Sequence, residues 1–444
     1  MHEDHDPGRL PPELRSPGIL ARIRPHVLDL TPLRESADLR RLLLAGVVSE
    51  LGNQATLVAI PFHVYAITRS TVAVGLVAVA QLIPRLLIAP LGGHLADRVD
   101  RSRLAIGANL VFAILSLGLV GNALLAEPML WPMYLFAAAA GAVSAMYVPS
   151  IRAWPARLVD TRLLPSAFAL EGASYNANAL LGPALAGLLI AGFGVQSAYT
   201  LDVVSFLVAI VVLWGIAPSR PQPGSEHTGS VAEGWRVLAG QPIIRTVLGL
   251  DFVAMFWGMP LALLPALAHH VGVGPGVLGL WYAAPAAGGL IAAAASGSAS
   301  RLRRPGRGIV LALLVWGAAI VVLGLSLTAW VTWLALAVAG GANEISAILG
   351  TAVTQSVVVD DVRGRLAALD DAVSAAGPAL GDLEAGVAAA WIGLGPAIVI
   401  GGVGALIGVG VLAAVGRSLR SYRPPPAESS NAGPLDPLSG SSGG

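Results

Sequence analysis

Apolar residues run in blocks of about 20 or more along most of the chain, separated by short polar breaks. That block length matches a hydrocarbon core about 30 Å thick crossed at about 1.5 Å per helical residue. The blocks predict helices near 41–67, 72–96, 103–126, 130–154, 166–192, 197–217, 243–267, 275–299, 309–329, 331–357, 366–391 and 395–416. Polar residues inside the blocks are patterned. On the first helix Glu50, Asn53, Gln54 and Leu57 fall at i, i+3, i+4 and i+7, which puts three polar groups on one stripe. The fifth helix repeats the spacing with Glu171, Ser174, Tyr175 and Asn178. The second carries Gln81 and Arg85 one turn apart, the seventh Asp251, and the tenth Asn343 and Glu344, with Thr351 and Gln355 along the Glu344 face.

The long polar stretch 218–242 divides the predicted helices six and six. Residues 1–37 are rich in Pro and charge, lack the apolar core of a signal peptide and read as a cytoplasmic tail. The expected organisation is then a six-helix bundle over 38–217, a cytoplasmic linker over 218–242 with an amphipathic turn around Trp235 and Val237, a second bundle over 243–416, and a disordered tail over 417–444. The halves also resemble each other in sequence. Asp160-Thr161-Arg162, Ala169-Leu170-Glu171 and Gly182-Pro183-Ala184-Leu185 are answered by Asp360-Asp361-Val362-Arg363, Ala368-Leu369-Asp370 and Gly377-Pro378-Ala379-Leu380. The fifth helix therefore corresponds to the eleventh, as a duplicated bundle requires. The predicted fold is an all-α integral membrane protein of twelve transmembrane helices in two pseudo-symmetric six-helix bundles.

Composition narrows the function. The chain is 55% hydrophobic and 12% charged, with a mean hydropathy of +0.73, against about 25% charged residues in soluble domains. A net charge of +1 implies no bulk attraction to nucleic acid. The absence of Cys excludes disulfides and thiolate metal sites. There is no Lys, so no Gly-rich phosphate loop with its lysine, and an ATP-driven pump within this polypeptide is excluded. No Ser/His/Asp order or metal cluster stands out, and the pair His269 and His270 is too small a ligand set. The expectation is a membrane protein that is not an enzyme, with no cofactor and no metal. All 27 basic residues are Arg, and apart from Arg69 and Arg85 they fall in, or within three residues of, the tails, the linker or the even-numbered loops. The positive-inside rule then places both termini in the cytoplasm of a bacterial cell, with the protein in its inner membrane.

The sharpest local feature is the hairpin Gly92-Gly93-His94-Leu95-Ala96-Asp97-Arg98-Val99-Asp100-Arg101-Ser102-Arg103 between the second and third helices. Its charges cannot lie in hydrocarbon, so it turns at a membrane face. It resembles the loop signature G-x-x-x-D-R-x-x-R-x-R of the major facilitator superfamily, with Asp100 where that family usually has Gly. Together with Leu39-Arg40-Arg41-Leu42, Leu201-Asp202-Val203-Val204-Ser205-Phe206, Arg363-Gly364-Arg365 and the run 377–386 (GPALGDLEAG), it points to the enterobactin-exporter-like branch of siderophore and drug efflux proteins. Gly182-Pro183-Ala184-Leu185-Ala186-Gly187 is similar to the antiporter motif of exporters, with Ala186 replacing one Gly. The other reading of that run is small-residue packing around a Pro kink.

The resemblance implies a proton-driven exporter of a siderophore or hydrophobic drug, working by alternating access. Gly93, Asp97, Arg98 and Arg101 are expected to latch the cytoplasmic gate, and Gly182 and Pro183 to bend the fifth helix. Asp382 and Glu384 either close the outer gate or face water. The polar groups at membrane depth, Glu50, Asn53, Gln54, Arg85, Glu171, Tyr175, Asn178, Asp251 and Glu344, are the candidates for proton and cargo binding. Poor solvation favours the neutral form of a carboxylic acid, the property a proton-coupled carrier uses. Glu50 is the first choice, with Arg85 as its counter-ion; the alternative is a structural Glu50–Arg85 ion pair. Asp370 and Asp371 are expected to start the eleventh helix and suit its dipole. An importer or facilitator of the same fold, and a non-transporting sensor or scaffold, remain as rivals. Polar stripes buried in three helices weigh against the scaffold.

Overall fold

A computed structural model of the chain describes residues 29–422, apart from 97–98, 153, 217–234, 237, 259, 296–303, 327 and 359. Among the described residues there are twelve long helices and no strand. In the first half they are α1 (Ala37–Thr68), α2 (Thr71–Ala96), α3 (Arg101–Ala123), α4 (Trp131–Arg152), α5 (Leu164–Phe193) and α6 (Val195–Trp214). In the second half they are α7 (Pro242–Gly258), α8 (Pro275–Ala295), α9 (Pro305–Ser326), α10 (Ala329–Val357), α11 (Asp360–Ile392) and α12 (Leu394–Val415). Eleven membrane-crossing segments are long and apolar enough by composition. The twelfth helix, α11, falls short because Asp370, Asp371, Asp382 and Glu384 interrupt its apolar run.

The packing repeats between the halves. α1 lies on α5 and α6, α2 on α4, and α3 on α6 and α4; α7 lies on α11 and α12, α8 on α10, and α9 on α12 and α10. Two pairs cross between the halves, α2 with α11 and α5 with α8. The repeat extends to the turns. α5 joins α6 through the single residue Gly194 (φ 82°, ψ 170°), and α11 joins α12 through Gly393 (φ 88°, ψ 163°). That backbone region is essentially closed to residues with a Cβ, so both one-residue reversals require glycine.

Two expectations are corrected here. The seventh helix is not continuous: α7 stops at Gly258, a 3-10 turn spans Leu261–Leu263, and a short helix follows over Leu264–Val271. Pro260 lacks the N–H that a continuous helix needs. Neighbours occupy the freed backbone groups: Trp316 Nε1 on α9 donates to the Gly258 carbonyl (2.9 Å), Tyr282 Oη on α8 donates to that of Leu261 (3.0 Å), and Asp382 Oδ1 on α11 accepts from the Ala262 N–H (3.0 Å). Irregular backbone at membrane depth is tolerated where protein satisfies it in this way. α11 begins at Asp360, so Asp370 and Asp371 lie about three turns inside it, beyond the reach of its terminal dipole. Asp100 in the hairpin caps α3 through Oδ1, which accepts from the Arg103 N–H (3.0 Å), and this gives the departure from the family pattern a local reason. Asp97, Arg98, Val237 and most of the linker lie outside the described residues.

The two halves close on each other at the face opposite to where α1 begins and α12 ends. Gly187 on α5 meets Gly279 on α8 backbone to backbone, and Gly75 on α2 meets Asp382 and Leu383. Thr71 Oγ1 donates to the Gly386 carbonyl (2.7 Å). Above them the Tyr65 ring, overlain by the Arg69 guanidinium, lies edge-on to His269 with centroids 6.1 Å apart. We call this the far face, and the other the terminal face.

Candidate functional site

Two cavities of nearly equal size occupy the terminal-face half, one in each bundle. The first, about 330 Å³, lies among α1, α4, α5 and α6 and is lined by Glu50, Tyr147, Arg152, Glu171, Tyr175 and Asn178, among others. The second, about 350 Å³, lies among α7, α10 and α11 and is lined by Asp251, Ser346, Thr351, Gln355, Asp370 and Ser374. Their acids sit on matching helices: Glu50 on α1 answers Asp251 on α7, and Glu171 on α5 answers Asp370 on α11. A third, smaller cavity of about 180 Å³ lies between the bundles at mid-depth, against the break in α7. Asn53, Thr56, Gln81, Tyr282 and Asp382 are in its wall.

The stripe on α1 is thus split by its neighbours. Glu50 opens to the first cavity, where Gln54 Nε2 donates to its Oε1 (2.8 Å) and Asn53 Nδ2 to its Oε2 (3.4 Å). Both amides come from the next turn of the same helix, so the carboxylate is oriented by local geometry that the sequence spacing already contained. Gln54 is buried against Gly182, where an added Cβ would lie 2.5 Å from the Gln54 Cβ. The small residue preceding Pro183 therefore lets α5 approach the polar face of α1. Asn178 ties the same two helices, its Nδ2 donating to the Val47 carbonyl (3.1 Å).

Arg85 is not the partner of Glu50. Its guanidinium lies 2.9 Å from Asp371 Oδ2 on α11, and Arg152 at the end of α4 approaches the other oxygen of Asp371 at 3.6 Å. These ion pairs join the bundles on the terminal-face side of their contact. Asp251 and Ser374 both line the second cavity. Glu344 lines neither large cavity; it faces Gly289 on α8, while its neighbour Asn343 borders a small pocket beside the α7 break. Gly93 lies in the last part of α2 and Arg101 at the first position of α3, so the hairpin joins two helix ends. Asp382 caps the broken helix as described, and Glu384 is half-buried two residues nearer the far face.

One cluster has no place among the candidates above. Asp202 on α6 is fully buried between α1 and α3. Its Oδ2 accepts from Thr56 Oγ1 (2.8 Å) and Ser116 Oγ (2.7 Å), while its Oδ1 has no partner. One turn towards the far face, Tyr199 Oη and His63 Nδ1 are 3.2 Å apart, both buried. The available signal was a lone acid in an otherwise apolar span, which marks a functional group by default. His63 and Tyr199 carried no such mark, because neither is charged in sequence terms.

Residues 28–438 match the transmembrane secretion effector family. Relatives include the enterobactin exporter EntS of Citrobacter koseri, 28% identical over 403 residues covering 90% of this chain and 97% of the relative. The protein of the same name from Shigella boydii is 28% identical over 358 residues, 80% of this chain and 86% of its own. Among solved structures, a bacterial homologue of the human lysosomal transporter Spinster superposes with a TM-score of 0.69 at 16% identity, covering 88% of this chain and 98% of that one. A bacterial homologue of the iron transporter ferroportin gives a TM-score of 0.63 at 16% identity, covering 86% and 98%. These likenesses carry the fold: a multi-pass membrane transporter of the major facilitator type, not an enzyme.

Proposed function

We propose, from the premise that this chain belongs to the transmembrane secretion effector family of the major facilitator superfamily, that it is a proton-coupled exporter of an amphipathic small molecule. A siderophore, with enterobactin as the reference compound, is the first cargo class, because the relatives are named for its export. The observation that carries the reading is the pair of acid-lined cavities, one per bundle, on the terminal-face side of a closed far face. The arginine distribution supports a cytoplasmic terminal face and both chain ends inside, in a bacterial plasma membrane.

Cargo enters from the cytoplasm into the space between the two cavities. Glu50, Glu171, Asp251 and Asp370 accept hydrogen bonds from its polar groups, and Tyr147 and Tyr175 offer ring faces to its apolar part. Rocking the bundles about the α2–α11 and α5–α8 seams opens the far face and exposes the cargo outside. Glu50, oriented by two amides at the cavity wall, is the group at which a proton and the cargo compete. A proton bound from outside displaces cargo, and its release inside resets the carrier. The energy source is the proton gradient, with no cofactor, and the monomer is the working unit.

Inverted vesicles with an imposed proton gradient test this. Enterobactin is expected to dissipate the gradient with the unaltered protein and not with Glu50→Gln. Undiminished coupling in that variant removes Glu50 from the mechanism, and a gradient indifferent to enterobactin removes that cargo.

A further inference from the structure

The buried acid on α6 has a geometry suited to holding a proton, away from the cargo cavities. Asp202 has no exposed surface, and among the described residues no ion pair involves it. One oxygen takes two hydroxyl donors and the other takes none. Gly52 on α1 presses against the same carboxyl; a Cβ there would lie 2.8 Å from Oδ1. A charged carboxylate in this place is a buried, half-satisfied ion, which carries a large desolvation cost, whereas the neutral acid carries a much smaller one. The ionisable groups facing it are Glu50 on α1 and Tyr199 on its own helix, the Tyr199 hydroxyl in turn meeting His63 on α1; α3 presents Ser116 there, its only charged residues, Arg101 and Arg103, being at its opposite end.

The site has an outlet. Thr56, whose hydroxyl binds Asp202, is also part of the wall of the cavity between the bundles, together with Asn53 and Asp382. Thr56 stands six residues beyond Glu50 on α1, about 9 Å along the axis. A single helix thus touches the cargo cavity at one level and the buried acid at the next.

We propose that Asp202 is a proton-binding site of this carrier, filled and emptied from the interbundle cavity through the hydroxyl of Thr56, and that its neutral form holds the far face closed. The inference rests on the proton-coupled reading for its role in transport, but not for the existence of the site. In the loading step a hydronium in the cavity gives a proton to Thr56 Oγ1 as the threonine's own hydroxyl proton passes to Asp202 Oδ2. Water remains, and the carboxylate becomes the acid. Release reverses the transfer. Glu50 then selects between cargo and proton, and Asp202 couples occupancy to the packing of α1 on α6, where Gly52 leaves no slack.

The full chain in lipid nanodiscs tests both parts. It contains no Cys, so spin labels at Leu124→Cys and Leu325→Cys, exposed at the far-face ends of α3 and α9, report the far-face opening alone. The distance between them is expected to lengthen from acid to alkaline pH in the otherwise unaltered protein and to stay at its acid value at every pH in Asp202→Asn. Infrared difference spectra give a second readout: a carboxylic C=O band that appears on acidification, is missing in Asp202→Asn, and shifts in Thr56→Val and Ser116→Ala. Should Asp202→Asn fail to fold, the two hydroxyl variants still decide, since a band unmoved in both overturns the site. A band that persists in Asp202→Asn, or a label distance that follows pH as before in that variant, also overturns the proposal. If the distance ignores pH while the band still titrates and depends on Asp202, the control of the far face by Asp202 is overturned and the proton site stands; loss of gradient dissipation by enterobactin in the vesicle assay, by contrast, overturns the proton-coupled reading.

Discussion

The core formed by α1, α3 and α6 and the core formed by α7, α9 and α12 are built from equivalent helices in the same pairings, yet their chemistry is inverted. In the first, the space for close approach is on α1, at Gly52, and the side chains that fill it, Asp202 and Ser205, are on α6. In the second, the space is on α12: Gly401 meets the backbone carbonyl of Trp257 on α7, and the side chains of Trp257 and Val253 fill the space at Gly404 and Gly408. Asp202 and Gly401 are each the eighth residue of their helix. One half therefore buries an acid where the other sets a glycine against the backbone of the neighbouring helix. Duplication fixed the backbone approach, and the side chains diverged around it. The cavities differ in the same sense: that of the first bundle holds two acids, two tyrosines and Arg152, while that of the second has two acids with hydroxyls and an amide and no cation among its lining residues. The first cavity therefore has acids and a cation in its wall, and the second acids without one.

The largest effect that could break this contrast is functional. Glu50→Gln is expected to abolish enterobactin-coupled proton movement, whereas Asp251→Asn keeps the coupling and weakens cargo binding about fivefold, the equivalent of one hydrogen bond. Equal losses in vesicle assays of the two variants would make the halves functionally symmetric. Next in size is the shared backbone approach. Gly52→Ala and Gly401→Ala each place a methyl group against a neighbouring helix, and each should cost about 1–3 kcal/mol of stability. Thermal melts of the purified protein check this, and a tolerated Gly401→Ala would mean that only the polar half is tightly closed.

A smaller pair compares the buried polar groups. Ser116→Ala removes one donor from Asp202, and Trp316→Phe removes the indole bond to the Gly258 carbonyl; each is worth about 0.5–1.5 kcal/mol. Only the first should alter the pH response of the far-face distance, so a pH effect of Trp316→Phe would spread the sensing over both halves. The smallest effect concerns the seam. Asp371→Asn loses the contacts to Arg85 and Arg152, which are partly exposed, so no more than about 1 kcal/mol is at stake. The expected outcome is a modest shift, within about fivefold, towards separation of the terminal-face ends, read by labels placed there.

Much of this architecture was legible in the residue pattern. Ten of the twelve helices lie within a few residues of the predicted blocks, the exceptions being the broken α7 and the early start of α11, because span length is set locally, by apolar stretches that need about 20 residues and by breaks that cannot enter hydrocarbon. Glu50 with Gln54 and Asn53 was readable for the same reason, since residues three and four apart on a helix must meet. The break in α7 was not, although Pro260 was in view: a proline in a membrane helix kinks or interrupts it according to which neighbours can take the freed groups. Here Trp316, Tyr282 and Asp382 do so from three other helices. The pairing of Arg85 was missed because proximity in sequence suggested α1, while the crossing of α2 over α11 placed Asp371, 286 residues away, under its guanidinium.

The sequence by itself determined that the chain spans a membrane, how many times, which face its arginines favour, and that its halves are repeats. Each follows from transfer free energies and periodicity, which act over one helix at a time. Only the tertiary structure decided which polar groups share a cavity and which are sealed from it. Asp202 finds Thr56 and Ser116 across separations of 146 and 86 residues, and no local rule selects such partners. They are chosen by helices packing closely enough that an acid buried among them must accept whatever donors the neighbouring faces present.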